Sequence, residues 1–325
     1  MCAAALFWAA IHSLLLRCNK CVGRARASTR DGRGQTAPMT DAAQQFRGWI
    51  RPGPVPPGGM EAEADETLDY LAGHFRIFQY AKGHRYSVDD ALTAWYGSTW
   101  APRVERALDL GSGISSVALF VAWRLPGARI VTVEAQERSL RLARKSVRYN
   151  GLVDRFTQLH GDFRETQVLE KSGHFDLITG TPPYWPSDAR TPADHPQAVP
   201  ARLEVRGDAS DYAKCAARHL APGGVFAFCL PNDQREKALQ AVDAAGLLLL
   251  RRRDAIFKEG EAYGIGLYLA GRKSDFPTAL LGRAETEAPI ILRTKDGFFS
   301  DTYGLIRLSY GFPPGQLTPE RAAGL

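Results

Sequence analysis

The stretch Ala107-Leu-Asp-Leu-Gly-Ser-Gly-Ile-Ser115 decides the fold. An apolar strand enters a tight glycine turn, and the turn opens a helix from Ile114 to about Trp123. Glycine has no Cβ, so Gly111 and Gly113 let a ligand approach the backbone closely. An Asp-x-Gly-x-Gly pattern is common by chance, so its meaning depends on the segments around it.

The segments after this turn alternate between strands and helices. Apolar or alternating runs predict strands at 106–110, 129–134, 156–160, 175–178, 225–230, 247–251 and 263–269. Strands that alternate with helices form a parallel sheet with right-handed crossovers. The last two strands follow each other directly, as in an antiparallel hairpin. We therefore expect an α/β fold: a Rossmann-like seven-stranded, mostly parallel sheet with helices on both faces and an antiparallel final strand.

Polar residues stand at the carboxyl ends of the first three of these strands, where such sheets bind ligands. Asp109 ends the first strand, Glu134 the second, and Asp162 with Phe163 follows the third. A carboxylate at Glu134 suits the two hydroxyls of a ribose, and Asp162 can accept an adenine amine with Phe163 beside the ring. Any one of these could be a plain surface carboxylate, but together they favour a cofactor that contains a nucleoside.

Position 115 helps to choose the cofactor. A dinucleotide fold needs a third glycine near the turn and binds a pyrophosphate at the helix N-terminus. This chain has Ser115 there. S-adenosyl-L-methionine has no phosphate and does not need that anchor, so it is preferred over NAD.

The fourth strand leads into Thr181-Pro-Pro-Tyr184. A conjugated exocyclic amine is a poor nucleophile, and acceptors that hold its hydrogens favour the pyramidal form that attacks a methyl group. Pro182 and Pro183 fix the loop so that the Pro182 carbonyl can point at such an amine, while Tyr184 can stack on its ring. An isolated Pro-Pro is usually only a turn, but its position at a strand end favours a catalytic loop.

The chain resembles the class I S-adenosylmethionine-dependent methyltransferases of the small-domain superfamily, and within them the bacterial adenine-N6 methyltransferases that modify valine tRNA. The similarity covers about 75–300, and its glycine turn is generic to the superfamily. More specific segments carry the rest of it: Ile77-Phe-Gln79, Gly83-His-Arg-Tyr-Ser-Val-Asp-Asp90, Arg202-Leu-Glu204, Asp211-Tyr212, Ala221-Pro-Gly-Gly224, Ala288-Pro-Ile-Ile-Leu-Arg293 and Asp296-Gly297.

This resemblance implies a role for each candidate residue. Asp109, Gly111 and Gly113 would line the methionine end of the cofactor, Glu134 its ribose, and Asp162 with Phe163 its adenine. The residues that would face the target amine are Thr181, Pro182, Pro183 and Tyr184. The turn 83–87 would lie over the cofactor. The reaction needs no metal and no dedicated general base, because the proton can leave after transfer.

Thr181 departs from the family pattern, which has Asn or Asp at this position. Threonine offers a short hydroxyl in place of a forward-reaching carbonyl. We expect N-methylation of an exocyclic adenine amine in RNA, with a tRNA-like substrate as partner. One alternative acceptor is a small molecule or a protein amide, and another interpretation is a cofactor-binding module with impaired catalysis.

Charge and cysteine content argue against a basic RNA-binding core, a disulfide framework and a zinc site. The net charge of +6 arises in 1–60, since 61–325 holds 33 basic and 33 acidic residues. The high isoelectric point therefore does not indicate an RNA-binding core. The five cysteines lack a disulfide framework, and Cys18-Asn-Lys-Cys21 lacks the second pair that a zinc site needs. These features favour a reducing compartment. The apolar run 2–16 is shorter than the ~20 residues that a membrane-spanning helix needs, so we expect no stable membrane association.

Composition divides the chain into three parts. Residues 1–60 form a disordered or targeting extension, or follow from a mis-annotated start. Residues 61–273 form the methyltransferase domain, and 274–325 a carboxyl-terminal appendage. We expect a cytoplasmic monomer, or an organellar protein if the arginine-containing, acid-free stretch 1–30 is a transit peptide.

Overall fold

The computed structural model describes residues 50–101, 103–186, 188, 195–277, 280, 282–313 and 315. In this part of the chain the strands are Glu66–Ala72 (β1), Phe75–Tyr80 (β2), Arg106–Leu110 (β3), Arg129–Glu134 (β4), Phe156–His160 (β5), Phe175–Gly180 (β6), Leu220–Pro231 (β7), Leu247–Lys258 (β8), Gly264–Arg272 (β9) and Glu285–Arg293 (β10). The α-helices are Val88–Trp100 (α1), Ser116–Arg124 (α2), Glu137–Tyr149 (α3), Thr166–Leu169 (α4), Ala198–Arg202 (α5), Ala209–His219 (α6), Arg235–Ala244 (α7) and Asp301–Ser309 (α8). The Cys18/Cys21 pair and most of the predicted extension 1–60 lie outside the described residues.

Eight strands form the main sheet in the order β10-β8-β9-β7-β6-β3-β4-β5. Strands β3 to β7 are parallel to their neighbours in this series, whereas β9 is antiparallel to both β7 and β8. The chain runs outward from β3 through β4 and β5, then returns to place β6 on the other side of β3. The order therefore reverses between β3 and β6, which is where open α/β sheets bind ligands.

The predicted α/β fold is confirmed, and the structure adds an eighth strand. Strand β10 pairs in parallel with β8 at the edge of the sheet, with a register shift between Glu287 and Ile290. Pro289 lies in that interval and has no N–H for a ladder hydrogen bond, which is tolerated at an edge. Both β10 and α8 lie within 274–325.

Apolar side chains cover both faces of the sheet. Helices α1, α2 and α3 pack on one face, where Leu92, Phe120 and Leu142 are fully buried. Helices α6 and α7 pack on the other face through Ala213 and Ala238. No helix in the described part of the chain is long and apolar enough to cross a membrane.

A separate hairpin, β1 and β2, leads into the turn before α1. It is fastened to α3, where the Ser146 hydroxyl accepts the Phe78 N–H at 2.9 Å and Asn150 Oδ1 accepts the Arg76 N–H at 2.9 Å. The side chain of Gln79 then accepts the Tyr86 N–H at 2.8 Å. These bonds fix the turn 83–87 beside the ends of the parallel strands.

Candidate cofactor and acceptor site

A cavity lies beyond the carboxyl ends of β3, β4, β5 and β6. The register explains why the strand ends meet there, since Leu110 lies opposite both Val133 and Gly180 in the sheet. Eight of the ten residues predicted from the sequence line this cavity: Asp109, Gly111, Gly113, Glu134, Asp162, Phe163, Thr181 and Pro183.

A second cavity adjoins the first. It is lined by Thr181 and by the two remaining predicted residues, Pro182 and Tyr184. The two cavities share four lining residues: His84, Asp90, Thr181 and Ala201. The structure thus places all ten predicted residues around two joined spaces, with Thr181 at their junction.

The glycine turn uses backbone conformations that other residues avoid. Gly111 and Gly113 have φ of +57° and +53°. A Cβ at Gly111 would lie 2.1 Å from the Tyr212 hydroxyl oxygen, whereas a Cβ at Gly113 would meet open space. Ser115 has φ of +65°, in the left-handed region that favours glycine. This serine therefore occupies a position where a third glycine would fit without strain.

Asp109 is a buried carboxylate that is only half satisfied. The Thr179 hydroxyl donates to Asp109 Oδ1 at 2.8 Å. Among the described residues, Asp109 Oδ2 is buried without a hydrogen-bond partner. Burial raises the pKa of Asp109 to about 7; the Thr179 hydroxyl and the Ala118 backbone N–H oppose the rise, and the nearby Glu134 carboxylate adds to it. A cationic or hydrogen-bond-donating ligand would remove this penalty.

Glu134 ends β4 and is held by two backbone groups. Its Oε2 accepts the Gly113 N–H at 2.8 Å, and its Oε1 accepts the Gln136 N–H at 2.7 Å. Burial raises the pKa of Glu134, and the two hydrogen bonds oppose that rise. The carboxylate is therefore held in place with lone pairs left over for a ligand.

Asp162 lies farther out and is paired with an arginine. Arg164 Nε donates to Asp162 Oδ1 at 2.9 Å and to Oδ2 at 3.0 Å. This guanidinium lowers the pKa of Asp162. Beside it, the buried Phe163 ring packs edge-on against Tyr212 with centroids 4.6 Å apart. Any ligand amine at Asp162 must share this carboxylate with Arg164.

Asp90 lines both cavities, whereas the sequence named it only as the last residue of the segment 83–90. Its Oδ2 accepts the Ser87 N–H at 2.9 Å, as a helix-capping residue does. Burial raises the pKa of Asp90 to about 8, and the neighbouring Asp89 carboxylate contributes. The capping contact involves only neighbouring residues, whereas the place of Asp90 in the cavity depends on where α1 begins in the folded chain.

The loop Thr181–Tyr184 is fixed from both sides. The Tyr184 hydroxyl donates to Asp89 Oδ2 at 2.6 Å, and Gln234 Nε2 donates to the Tyr184 carbonyl at 2.9 Å. The next residue, Trp185, makes a parallel bridge with Leu203 and leaves 43% of its surface exposed. The sequence predicts that Tyr184 stacks on the ring of the acceptor. In the structure the Tyr184 hydroxyl is held by a hydrogen bond to Asp89. The exposed Trp185, next along the chain, was not identified from the sequence.

The turn 83–87 contributes His84 and Tyr86 to the cavity wall. The His84 N–H donates to Gln197 Oε1 at 2.7 Å, and a Cβ at Gly83 would lie 2.6 Å from that same oxygen. Gln197 itself is buried and lines the cavity. No sequence motif singled out Gln197, which follows a proline-rich stretch of the sequence.

The family model described as "Methyltransferase small domain" matches residues 89–195. A protein of Bacteroides thetaiotaomicron named tRNA1(Val) (adenine(37)-N6)-methyltransferase is 30% identical over 176 residues, which cover 52% of this chain and 68% of the relative. The protein of the same name from Tolumonas auensis is 29% identical over 215 residues, 63% of this chain and 82% of the relative.

A third relative acts on a small molecule. The 4-amino-L-phenylalanine/4-methylamino-L-phenylalanine methyltransferase of Streptomyces pristinaespiralis is 38% identical over 134 residues, 39% of this chain and 43% of the relative. Among solved structures, one described as a predicted O-methyltransferase from Agrobacterium tumefaciens aligns with a TM-score of 0.52 at 20% identity, covering 68% of this chain and 96% of that one. This last similarity concerns the fold alone.

Proposed function

The chain belongs to the small-domain methyltransferase family, and from this premise we propose that it transfers a methyl group from S-adenosyl-L-methionine to the exocyclic amine of an adenine in RNA, with a tRNA-like acceptor. The observation that carries the proposal is the junction at Thr181. There, a cavity walled by carboxylates meets a second cavity formed by the Pro-Pro-Tyr loop.

The charges of the first cavity fit this cofactor. S-adenosylmethionine carries a sulfonium and an α-ammonium group, and the cavity holds Asp90, Asp109 and Glu134. The unpartnered Oδ2 of Asp109 is an acceptor without a donor. A dinucleotide would instead bring a pyrophosphate beside these carboxylates, and like charges repel. The residues present therefore favour S-adenosylmethionine over NAD.

We assign the cofactor contacts by position. Asp109 and Asp90 would hold the ammonium end, and the glycine turn would lie along the methionine chain. Glu134 would bind the ribose hydroxyls. Asp162 would accept the adenine amine, with Phe163 beside the ring. Bound there, S-adenosylmethionine supplies an electrophilic methyl group.

The second cavity would hold the acceptor. The buried Pro182 and Pro183 fix the loop, so that its carbonyls can accept the hydrogens of a planar amine without reorganising. Thr181 contributes a hydroxyl where an asparagine would contribute a carboxamide oxygen. The exposed Trp185 ring is available to stack on a base, the way proteins hold unstacked RNA bases. The two relatives named for adenine-N6 methylation of tRNA support this acceptor.

A second candidate is a small aromatic amine. The relative from Streptomyces pristinaespiralis, named for an aminophenylalanine substrate, favours it, as does the formal neutrality of residues 61–325. An anilino nitrogen is conjugated like that of adenine, so the same loop would serve both.

Radiolabelled methyl transfer separates the candidates. The full chain is incubated with labelled S-adenosylmethionine and, in parallel, unmodified tRNA, total cell protein and 4-amino-L-phenylalanine. The proposal expects label in tRNA. Label only in the amino acid or only in protein refutes the RNA acceptor and keeps the methyltransferase chemistry. No label in any pool, with S-adenosylhomocysteine still bound, supports the interpretation as a module with impaired catalysis.

A further inference from the structure

His84 occupies the junction of the two cavities. It lines both of them, as do Thr181 and Asp90. Its backbone N–H is fixed on Gln197, whereas its imidazole makes no hydrogen bond to any residue that the structure describes. The ring of His84 thus lies between the proposed methyl donor and the proposed acceptor, free to bond a ligand.

The other polar groups at this junction are committed or unsuitable. Asp90 accepts the Ser87 N–H, and in the proposed function it also faces the cofactor ammonium. The Thr181 hydroxyl is short and far too weak a base to take a proton at neutral pH. The Asp89 carboxylate also lines the acceptor cavity, but its two oxygens already accept from the Tyr184 and Ser87 hydroxyls. His84 therefore remains as the side chain that can accept a proton there.

We propose that His84 accepts a hydrogen bond from the target amine and takes its proton, so that it serves in place of the forward-reaching carbonyl for which Thr181 has only a short hydroxyl. The inference rests on the proposed function and names a catalytic residue for it. The lone pair of the amine bonds the methyl carbon, and the carbon–sulfur bond breaks with its electron pair remaining on sulfur. The amine nitrogen, now cationic, gives one proton to a ring nitrogen of His84, and the imidazolium returns it to solvent.

The surroundings keep the imidazole neutral. Burial lowers the pKa of His84, and the Arg202 guanidinium lowers it further, while the Asp89 carboxylate opposes both. Asp90 and Tyr184 are the other titratable groups shared with the acceptor cavity. A neutral ring is the form that accepts a proton, so activity is lost as the pH falls through this pKa. The sequence predicted that no dedicated base is needed, and His84 modifies that expectation.

Three variants test the role in tRNA methylation. His84→Ala should lower kcat by about 10- to 100-fold, near the lower end of general-base contributions, with S-adenosylhomocysteine affinity changed less than threefold. His84→Gln keeps an acceptor that cannot titrate, so it should lose less rate and show no acidic limb in its pH–rate profile. Thr181→Asn in the His84→Ala background should recover at least fivefold. His219→Gln is the control, since burial also lowers the pKa of His219, outside both cavities.

A measurement without turnover accompanies these rates. Histidine labelled with ¹³C is titrated by NMR in the wild-type protein with bound S-adenosylhomocysteine, and the His84 signal is assigned from its loss in His84→Gln. We expect the His84 imidazole to be neutral at the pH of the methylation assay; a ring that remains protonated at that pH cannot accept the proton and overturns the inference. An acidic limb that survives in His84→Gln overturns it as well. If the wild type methylates no tRNA, the proposed acceptor fails, and the NMR titration still decides the state of His84.

Discussion

Replacing Asp109 by asparagine should stabilise the protein without cofactor while weakening cofactor binding. The carboxylate is buried, its Oδ2 has no partner in the described structure, and burial raises its pKa from 3.8 to about 7. The folded state thus holds a proton that the unfolded state has released. Stability falls as pH rises from about 4 to 7, and the loss is complete above 7.

The size of the effect follows from the two pKa values. Folding raises the pKa of Asp109 by about three units, and each unit is worth about 1.36 kcal/mol. The free energy of unfolding is therefore lowered by roughly 4 kcal/mol above pH 7, and about 3 kcal/mol of this loss develops between pH 5 and pH 7.5. Asparagine keeps an acceptor for the Thr179 hydroxyl but leaves its amide without a partner, a pH-independent cost of about 1–3 kcal/mol. Asp109→Asn should therefore be near wild-type stability at pH 5 and more stable at pH 7.5.

Urea unfolding at pH 5, 6 and 7.5 in the absence of cofactor measures the difference in stability between the variant and the wild type. The difference between Asp109→Asn and wild type should grow by about 3 kcal/mol toward pH 7.5. Asp243→Asn is the control, since Asp243 is exposed and its pKa is lowered by Lys273. A stability difference that does not change with pH, or one that reverses, would refute the reasoning.

Three further predictions concern ligands. Glu134→Gln should weaken S-adenosylhomocysteine binding about 10- to 100-fold, because hydrogen bonds to a charged carboxylate are lost; calorimetry measures this affinity. The control variant Glu137→Gln, at an exposed position, should bind as the wild type does. Equal affinities in the two variants would show that Glu134 does not belong to the site. The affinity of the wild-type protein for S-adenosylhomocysteine should rise from pH 6 to pH 8, because a bound ammonium group favours the ionised forms of Asp90 and Asp109, whose pKa values are about 8 and 7. The rise should be up to about tenfold per pH unit for each proton released on binding. An affinity that does not change with pH would contradict this prediction. Trp185→Ala should raise KM for tRNA about 5- to 100-fold, which corresponds to the loss of one stacked base, without changing the affinity for S-adenosylhomocysteine. Phe298 is another exposed aromatic residue, and Phe298→Ala should leave KM unchanged. The same KM in both variants would exclude stacking of a base on Trp185.

The fold could be predicted because its signals are local. The glycine turn at 111–113, the apolar runs and the helix caps each depend on a few neighbouring residues. Because the strands are parallel, their carboxyl ends meet at one edge, so residues at those ends could be assigned to one site. Asp109, Glu134 and Thr181 were found in this way, and they lie around the joined cavities.

The rest of the site depends on long-range packing. Strand β10 carries a proline and few apolar residues in its first half, and pairing with β8 makes it a strand. Asp90 lines the cavity only because α1 begins beside the strand ends, and that placement is not local in sequence. His84 and Gln197 are 113 positions apart and meet only in the folded chain. The pairing of Arg164 with Asp162 depends on a side-chain conformation, and no residue pattern specifies that.

The measurement closest to the central claim is the identity of the methylated product. The full chain is incubated with S-adenosylmethionine and an unmodified tRNA pool, the RNA is digested to nucleosides, and these are separated by chromatography and mass spectrometry. The account predicts N6-methyladenosine that is strongly reduced with Glu134→Gln. A methyl group found only on another nucleoside, or no methylated nucleoside from a protein that binds S-adenosylhomocysteine, would contradict it.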